Sequence, residues 1–241
     1  MRSLRRRARE FALQGLSQWQ MTGASAAAIR SSLDQHGFDL AHEMLRADYL
    51  TSPFPNRETM LPRLERLEPA LQALLLLFTF GEPLSPESIQ ELLGADLLEA
   101  GLISGLLVLD SEGTHVSTGG LQIVSRLGQY FIVSTSRGYP SFDPDHADIY
   151  IGPESYTLAN YLQRRAASLP PAGRALDLCA GSGIAGQSIA AIRRGMVWIG
   201  VDLSPRAVEA ATFDAMLNDV ADRYTPVVGD LYEPVAGQYF Q

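Results

Sequence analysis

The sequence contains no lysine, and all 19 of its basic residues are arginine. Schiff-base chemistry and the lysine-containing phosphate loop of nucleotide hydrolases are therefore excluded. A single cysteine, Cys179, excludes an intramolecular disulfide and a cysteine-rich zinc site. The four histidines are scattered without the spacing of metal ligands, so we expect no bound metal.

Long apolar runs are also missing. The longest, Ala73 to Phe78, is far shorter than a membrane span. The arginine-rich start is not followed by the apolar stretch of a signal peptide, so we expect a cytoplasmic protein without membrane contact. The net charge of −8 gives no overall basic field that would attract nucleic acid.

The most informative stretch is a strand–loop–helix pattern near residue 180. Ala175–Cys179 predicts a buried strand, Gly181–Gly183 a loop of small residues, and Ile184–Arg194 a helix. Glycines allow a ligand to lie against the backbone, and N–H groups at such a helix start point outward towards anions and nucleotides. With Gly186 the loop matches G-x-G-x-x-G, which NAD and FAD sites share, so the loop alone does not identify the ligand.

Three acidic residues narrow the choice of ligand. Asp177 lies near the end of the first strand, Val197–Val201 predicts a second strand followed by Asp202, and Thr225–Asp230 predicts a third strand ending in an acid. A carboxylate at Asp177 would face a diphosphate unfavourably, but it suits a ligand that carries an ammonium group. Asp202 is spaced to accept hydrogen bonds from ribose hydroxyls. Together they fit S-adenosylmethionine better than NAD.

In Leu176–Gly183, Gly200–Val208 and Val228–Leu231 the chain resembles the class I S-adenosylmethionine-dependent methyltransferases. It is most similar to the branch that methylates planar nitrogens, such as release-factor glutamine and ribosomal-RNA guanine methyltransferases. The resemblance implies an α/β fold with a partial Rossmann-like doubly wound sheet, S-adenosyl-L-methionine as cofactor, and a protein, RNA or small-molecule methyl acceptor. Ser204 and Pro205 fit this fold, since they predict a helix to Leu217 after the second strand.

The same resemblance assigns cofactor contacts. Asp177 and the glycine loop would hold the methionine part, Asp202 the ribose hydroxyls, and Asp230 the adenine amino group beside Leu231. A segment before the first strand would fold over the cofactor, with Ser155 a further candidate in it. The expected cofactor-binding residues are Tyr150, Gly152, Asp177, Cys179, Ala180, Gly181, Ser182, Gly183, Asp202, Leu203, Asp230 and Leu231. Cys179 itself is interpreted as a small packing residue, and no catalytic residue is assigned.

The remaining chain predicts a helical, winged-helix-like N-terminal domain. We expect a helical hairpin at 1–45, a helical and winged-helix-like domain at 46–137, a linker and cofactor-covering helix at 138–173, and the first half of a methyltransferase domain at 174–241. The predicted elements of the second segment are helices at Ala70–Phe80, from Ser85, and at Ala95–Gly101, then strands at Leu106–Leu109, Val116–Ser117 and Tyr130–Val133. Its acidic helices argue against insertion into a DNA groove, and a small packing domain is the alternative.

Arg5–Gln14 with Trp19 and Gln20 resembles the start of the NusB antitermination family, whose arginine-rich N-terminus contributes to RNA binding. The resemblance implies RNA contacts, and the alternative is a solvated basic helix start. The arginines concerned are Arg5, Arg6, Arg7 and Arg9. We further expect Gly23 to end a first helix, Ser25 to cap a second running to His36, and Leu40–Leu67 to be a connection.

The resembling family continues after the third strand to an Asn-Pro-Pro-Tyr motif, which this sequence does not contain. We therefore expect an incomplete catalytic domain whose first strand lacks a neighbour on one side, and which associates or is marginally stable and does not turn over. The expected function of the full-length protein is S-adenosylmethionine-dependent methyl transfer to a planar nitrogen of protein or RNA. An RNA-binding antitermination-like factor and a NAD-binding oxidoreductase are the alternatives.

Overall fold

The computed structural model describes residues 22–47, 57–134 and 149–241. These residues fall into two compact units, and the boundary lies between Gly128 and Gln129. Among the described helices, none combines the length and apolarity that crossing a membrane requires.

The first unit is mainly helical. Its helices are α1 (Gly23–Gln35), α2 (Phe38–Ala47), α3 (Arg57–Leu64), α4 (Pro69–Phe78), α5 (Pro86–Leu93) and α6 (Ala95–Ser104). The predicted cap of α5 is confirmed, because the Ser85 side chain accepts a hydrogen bond from the Ser88 N–H. Two predictions in this unit are wrong. Thr22 rather than Ser25 caps α1, and α2 occupies part of the region expected to be a connection.

Three short strands complete the first unit. β1 (Val108–Leu109) pairs antiparallel with β2 (Val116–Ser117), as the turn at Ser111–Gly113 predicts. The third strand, β3 (Leu121–Arg126), was not predicted. All six of its residues are buried, including Gln122, Ser125 and Arg126, so it lacks the alternation of polar and apolar residues that marks a strand in sequence.

The second unit carries a parallel sheet. Its elements are β4 (Gln129–Ser134), α7 (Pro153–Arg165), β5 (Ala172–Leu178), α8 (Ile184–Ala190), β6 (Gly195–Asp202), α9 (Pro205–Leu217) and β7 (Tyr224–Val228). The strand order is β5-β6-β7, with Leu178 opposite Val201 and Asp202 opposite Val228. The predicted parallel arrangement is therefore confirmed, and the carboxyl ends of the three strands share one edge. Helix α9 has the predicted bounds, and Ser204 caps it.

Buried polar side chains fix β4 to α9. Asn218 accepts a hydrogen bond from the Tyr130 N–H and donates one to the Tyr130 carbonyl, both at 2.8 Å. The Asp214 carboxyl accepts from the Ile132 N–H at 3.0 Å. Burial raises the pKa of Asp214 well above its ordinary value, because this N–H bond offsets only part of the lost hydration. These hydrogen bonds attach β4 to the C-terminal part of α9.

The side of β5 away from β6 contacts the last described residues. The Gln241 N–H donates to the Arg174 carbonyl at 2.9 Å, and the Arg174 guanidinium lies over the Phe240 ring. The residues of β5 are less buried than predicted, since only Ala175 is fully buried.

Candidate functional site

The loop after β5 takes a conformation that requires glycine. Gly181 and Gly183 have φ angles of +55° and +76°, in the left-handed region that side chains disfavour. A Cβ on Gly183 would also lie 2.7 Å from the Tyr224 hydroxyl. Above Gly181 the space is open, because the nearest atom to a Cβ there would be the Tyr150 carbonyl oxygen at 3.9 Å. The loop therefore presents bare backbone at Gly181.

The N–H groups of this loop are used inside the protein. The Gly181 N–H donates to Asp202 Oδ2 at 2.7 Å, and the Gly183 N–H donates to the Ala180 carbonyl at 2.8 Å. The other oxygen of Asp202 accepts from the Ser204 N–H at 2.9 Å. The expectation that the loop N–H groups point outward to an anion is therefore wrong for Gly181 and Gly183. A carboxylate already occupies the Gly181 donor.

Asp177 faces the interior of the unit. Its Oδ2 accepts hydrogen bonds from the Gly186 N–H at 3.0 Å and from the Tyr224 hydroxyl at 3.3 Å. Burial raises the pKa of Asp177 to about 6, the charge of Asp202 adds to the rise, and the two hydrogen bonds oppose it. Burial likewise raises the pKa of Tyr224 well above its ordinary value, and the neighbouring Asp177 adds to that rise. The Asp177 side chain thus joins β5, α8 and β7.

A crevice of about 540 Å³ opens at the carboxyl edge of β5 and β6, within the range of small-molecule sites. It is lined by Tyr150, Glu154, Ser155, Leu158, Cys179, Ala180, Gly181, Ser182, Ile184, Asp202, Ser204 and Ala207. Among these described residues, the charged side chains are the two carboxylates Glu154 and Asp202. Among the described lining residues, the crevice wall therefore carries negative charge and hydroxyl groups and includes no cationic side chain.

Half of the predicted cofactor-binding residues line this crevice. They are Tyr150, Cys179, Ala180, Gly181, Ser182 and Asp202, and the further candidate Ser155 lines it as well. The lining does not include Gly152, Asp177, Gly183, Leu203, Asp230 or Leu231. The interpretation of Cys179 as a packing residue is wrong, because Cys179 is exposed and has a left-handed φ of +54°.

Asp230 and Leu231 lie at the same edge of the sheet as the crevice. The Gly229 N–H donates to the Asp202 carbonyl at 3.0 Å, so the residues after β7 follow directly beside the end of β6. Asp230 is exposed, and Leu203 and Leu231 are each about half exposed. These three side chains are therefore accessible near the strand ends, but they do not line the crevice.

Five further lining residues were not part of the predicted site, namely Glu154, Leu158, Ile184, Ser204 and Ala207. Only Ser204 carried a local signal, through its place as the cap of α9. Among the described residues, no group of three or more His, Cys, Asp or Glu could hold a metal ion. Arg5, Arg6, Arg7 and Arg9 lie outside the described residues, so their RNA contact stays a prediction.

Comparison with known proteins finds similar solved structures but no family: no family model matches the chain, and no curated protein does. An S-adenosylmethionine-dependent methyltransferase from Geobacter sulfurreducens, in complex with S-adenosyl-L-homocysteine, is 34% identical over 31% of this chain and 29% of its own, with a TM-score of 0.28. The M. jannaschii tRNA m1G37 methyltransferase is 18% identical over 47% of this chain and 31% of its own, with a TM-score of 0.36.

TYW2 of P. horikoshii, in complex with MeSAdo, is 16% identical over 70% of this chain and 63% of its own, with a TM-score of 0.37. The chain thus spans about three tenths of the length of the first solved structures it matches. The neighbours include S-adenosylmethionine-dependent methyltransferases, the class that the sequence motifs resemble.

Proposed function

We propose that the crevice binds S-adenosyl-L-methionine and that the chain supplies the cofactor-binding part of a methyltransferase. One observation carries this proposal: the charged groups among the described lining residues are carboxylates, and one of them, Asp202, accepts the Gly181 N–H. Such a wall suits a nucleoside that carries positive charge. Two features of S-adenosylmethionine match it, namely its ribose hydroxyls and its cationic sulfonium and ammonium groups.

The same observation weighs against a NAD-binding oxidoreductase. Dinucleotide sites place a diphosphate on free N–H groups at the start of a helix. Here the N–H groups of Gly181 and Gly183 already have acceptors within the protein, and Glu154 and Asp202 would repel a diphosphate. The loop therefore matches the G-x-G-x-x-G pattern in sequence, but the charges of the site do not suit a dinucleotide.

Three groups of residues share the binding of the cofactor. Each oxygen of Asp202 accepts one backbone N–H and keeps a further lone pair, which suits the ribose hydroxyls. Gly181 gives the ligand close access to the backbone, and Asp230 with Leu231 would meet the adenine ring at the sheet edge. The Asp177 carboxylate accepts the N–H of Gly186, in the first turn of α8, and does not line the crevice. We therefore assign Asp177 no direct contact with the methionine part.

The methyl group of the bound cofactor is activated by its own sulfonium, so the protein mainly orients the reactants and excludes water. Leu158 and Ile184 supply apolar wall for this purpose. We propose a planar nitrogen of protein or RNA as acceptor, as the sequence resemblance implies. The first unit, interpreted as winged-helix-like, would select the acceptor, and the acidic residues of α5 and α6 argue against a DNA groove.

Alkylation of Cys179 can show which ligand binds in the crevice. Cys179 is the only cysteine of the chain, it is exposed, and it lines the crevice. We expect S-adenosyl-L-homocysteine to slow alkylation of Cys179 by iodoacetamide, and NADH to leave the rate unchanged. Calorimetry on a Cys179→Ser variant checks that binding does not depend on the thiol. Protection by NADH without protection by S-adenosyl-L-homocysteine would reject the methyltransferase in favour of the oxidoreductase.

A further inference from the structure

Glu154 is the crevice carboxylate that the predicted site did not include. It is exposed, it follows Pro153 in the first turn of α7, and it lines the crevice opposite the strand ends. A carboxylate at this position of a helix is common, because the positive end of the helix dipole stabilises it. Because Glu154 also lines the crevice, its carboxylate can contact a ligand that binds there.

The space beside Gly152 is occupied by the side chains of Tyr150 and Glu154. A Cβ on Gly152 would lie 2.1 Å from the Tyr150 hydroxyl and 2.4 Å from Glu154 Oε1. The φ of Gly152 is −105°, which any residue adopts, so the backbone does not require glycine here, and the space beside it holds the ends of these two side chains. Two side chains therefore converge over Gly152 and meet at the crevice wall.

The Tyr150 hydroxyl and the Glu154 carboxylate interact directly. Tyr150 donates a hydrogen bond to Glu154, and the pKa of Tyr150 is raised by burial first and then by the adjacent negative charge. The start of α7 is itself fixed, because the Gly152 N–H donates to the Ser155 hydroxyl at 3.3 Å. Tyr150 thus holds one oxygen of Glu154 and leaves the carboxylate charge at the crevice.

The two crevice carboxylates differ in how far the protein compensates their charge. Asp202 accepts two backbone N–H groups, from Gly181 and Ser204. Among the described residues, the hydrogen-bond donor that the structure gives to the Glu154 carboxylate is the neutral Tyr150 hydroxyl. The charge of Glu154 is therefore less compensated by the protein than that of Asp202, and it remains available to a cation on the ligand.

We propose that Glu154, positioned by Tyr150, recognises the cationic end of the cofactor, while Asp202 recognises its uncharged nucleoside end. This inference rests on the proposed function, because it divides the same crevice between two parts of one ligand. S-adenosylmethionine carries a sulfonium, an ammonium and a carboxylate group, whereas methylthioadenosine keeps the nucleoside and lacks all three charged groups. A carboxylate that contacts the two cations therefore acts only on S-adenosylmethionine. Substitution of Glu154 should therefore separate these two ligands, and substitution of Asp202 should not.

Calorimetry on the full chain with S-adenosylmethionine and methylthioadenosine tests whether Glu154 and Asp202 recognise different parts of the ligand. We expect Glu154→Gln to weaken S-adenosylmethionine binding about tenfold or more, the range of a hydrogen bond to a charged group, and to leave methylthioadenosine within about twofold. Asp202→Asn should weaken both ligands by a similar factor. Tyr150→Phe should show the Glu154→Gln pattern with a smaller loss, because the carboxylate stays but loses its positioning partner.

The chain offers a matched control. Glu87 follows Pro86 and precedes Ser88 at the start of α5, the same Pro-Glu-Ser sequence that opens α7. Glu87 is exposed like Glu154, but it belongs to the first unit and does not line the crevice. Glu87→Gln should change melting temperature about as much as Glu154→Gln and should leave both ligand affinities unchanged. If Glu154→Gln does not fold, Tyr150→Phe still provides the comparison of the two ligands.

Two outcomes overturn the inference in different ways. Equal weakening of both ligands by Glu154→Gln and Tyr150→Phe, or no weakening of either, would reject the role of Glu154 while the proposed function stands. If the unsubstituted chain binds neither S-adenosylmethionine nor methylthioadenosine, the proposed function fails, and the division of the crevice fails with it.

Discussion

The carboxylate of Asp202 accepts the Gly181 N–H at 2.7 Å, which joins the end of β6 to the glycine loop after β5. This contact shapes the crevice, because it turns the loop donor away from a ligand and leaves a carboxylate in its place. The loop that first indicated nucleotide binding is thus completed by an acid more than 20 residues further along the chain.

Asp202→Asn should weaken S-adenosyl-L-homocysteine binding by about 10- to 100-fold, which corresponds to the loss of a hydrogen bond to a charged group. The amide keeps one acceptor for a backbone N–H, so the loop should remain folded. Calorimetry measures the affinity, with Asp222→Asn as control, since Asp222 is an exposed acid of the same unit. Equal affinities of the Asp202→Asn and Asp222→Asn variants would contradict the ribose contact.

Gly183→Ala should destabilise the second unit more than Gly181→Ala does. Both residues have left-handed backbone, which costs a non-glycine residue about 1–2 kcal/mol. Only at Gly183 would the Cβ also meet the Tyr224 hydroxyl, at 2.7 Å. Urea unfolding gives the two losses of unfolding free energy. A loss at Gly181 as large as that at Gly183 would show that the space above Gly181 is not open.

Asp177 should make stability fall as the pH rises from about 4 to 6. Its folded-state pKa is raised to about 6, whereas an unfolded aspartate titrates near 3.9. Between these values the folded protein binds more protons than the unfolded chain, so the stabilisation present at about pH 4 is lost as pH passes through the folded pKa.

The Asp177→Asn variant isolates this effect, because Asp214 also has a raised pKa and titrates in both proteins. We expect the unfolding free energy of the unsubstituted chain, measured relative to Asp177→Asn, to drop by on the order of 1–3 kcal/mol between pH 4 and 7. Urea unfolding at a series of pH values measures the difference. A difference that is flat or that grows with pH would show that the Asp177 carboxyl is not held in its protonated form.

Asn218→Ala should destabilise the second unit by about 2–4 kcal/mol, because it leaves the buried N–H and carbonyl of Tyr130 without their partner. Asn160 on α7 is exposed, so Asn160→Ala should cost less than about 1 kcal/mol. Thermal unfolding of the two variants checks the difference. Similar melting temperatures would show that β4 does not depend on Asn218.

Local patterns in the sequence predicted the strand–loop–helix units well. The Ser204 cap, Pro205 and the apolar spacing after them predict the bounds of α9, because capping and periodicity depend only on nearby residues. The three strands are confirmed as well, and their parallel pairing follows from the alternation of strands with helices. The cap of α1 was misplaced onto Ser25, since Thr22 satisfies the same rule three residues earlier.

The order of residues is enough to show that three strands end beside acidic residues and that glycines follow the first strand. The direction in which those acids face depends on the packing of the elements, because a carboxylate turns towards whichever donors the neighbouring elements bring to it. Asp177 meets Gly186 and Tyr224 inside the unit, and Asp202 meets Gly181 at the crevice. Glu154 enters the crevice for the same reason: packing places the start of α7 there, and no local pattern records that position.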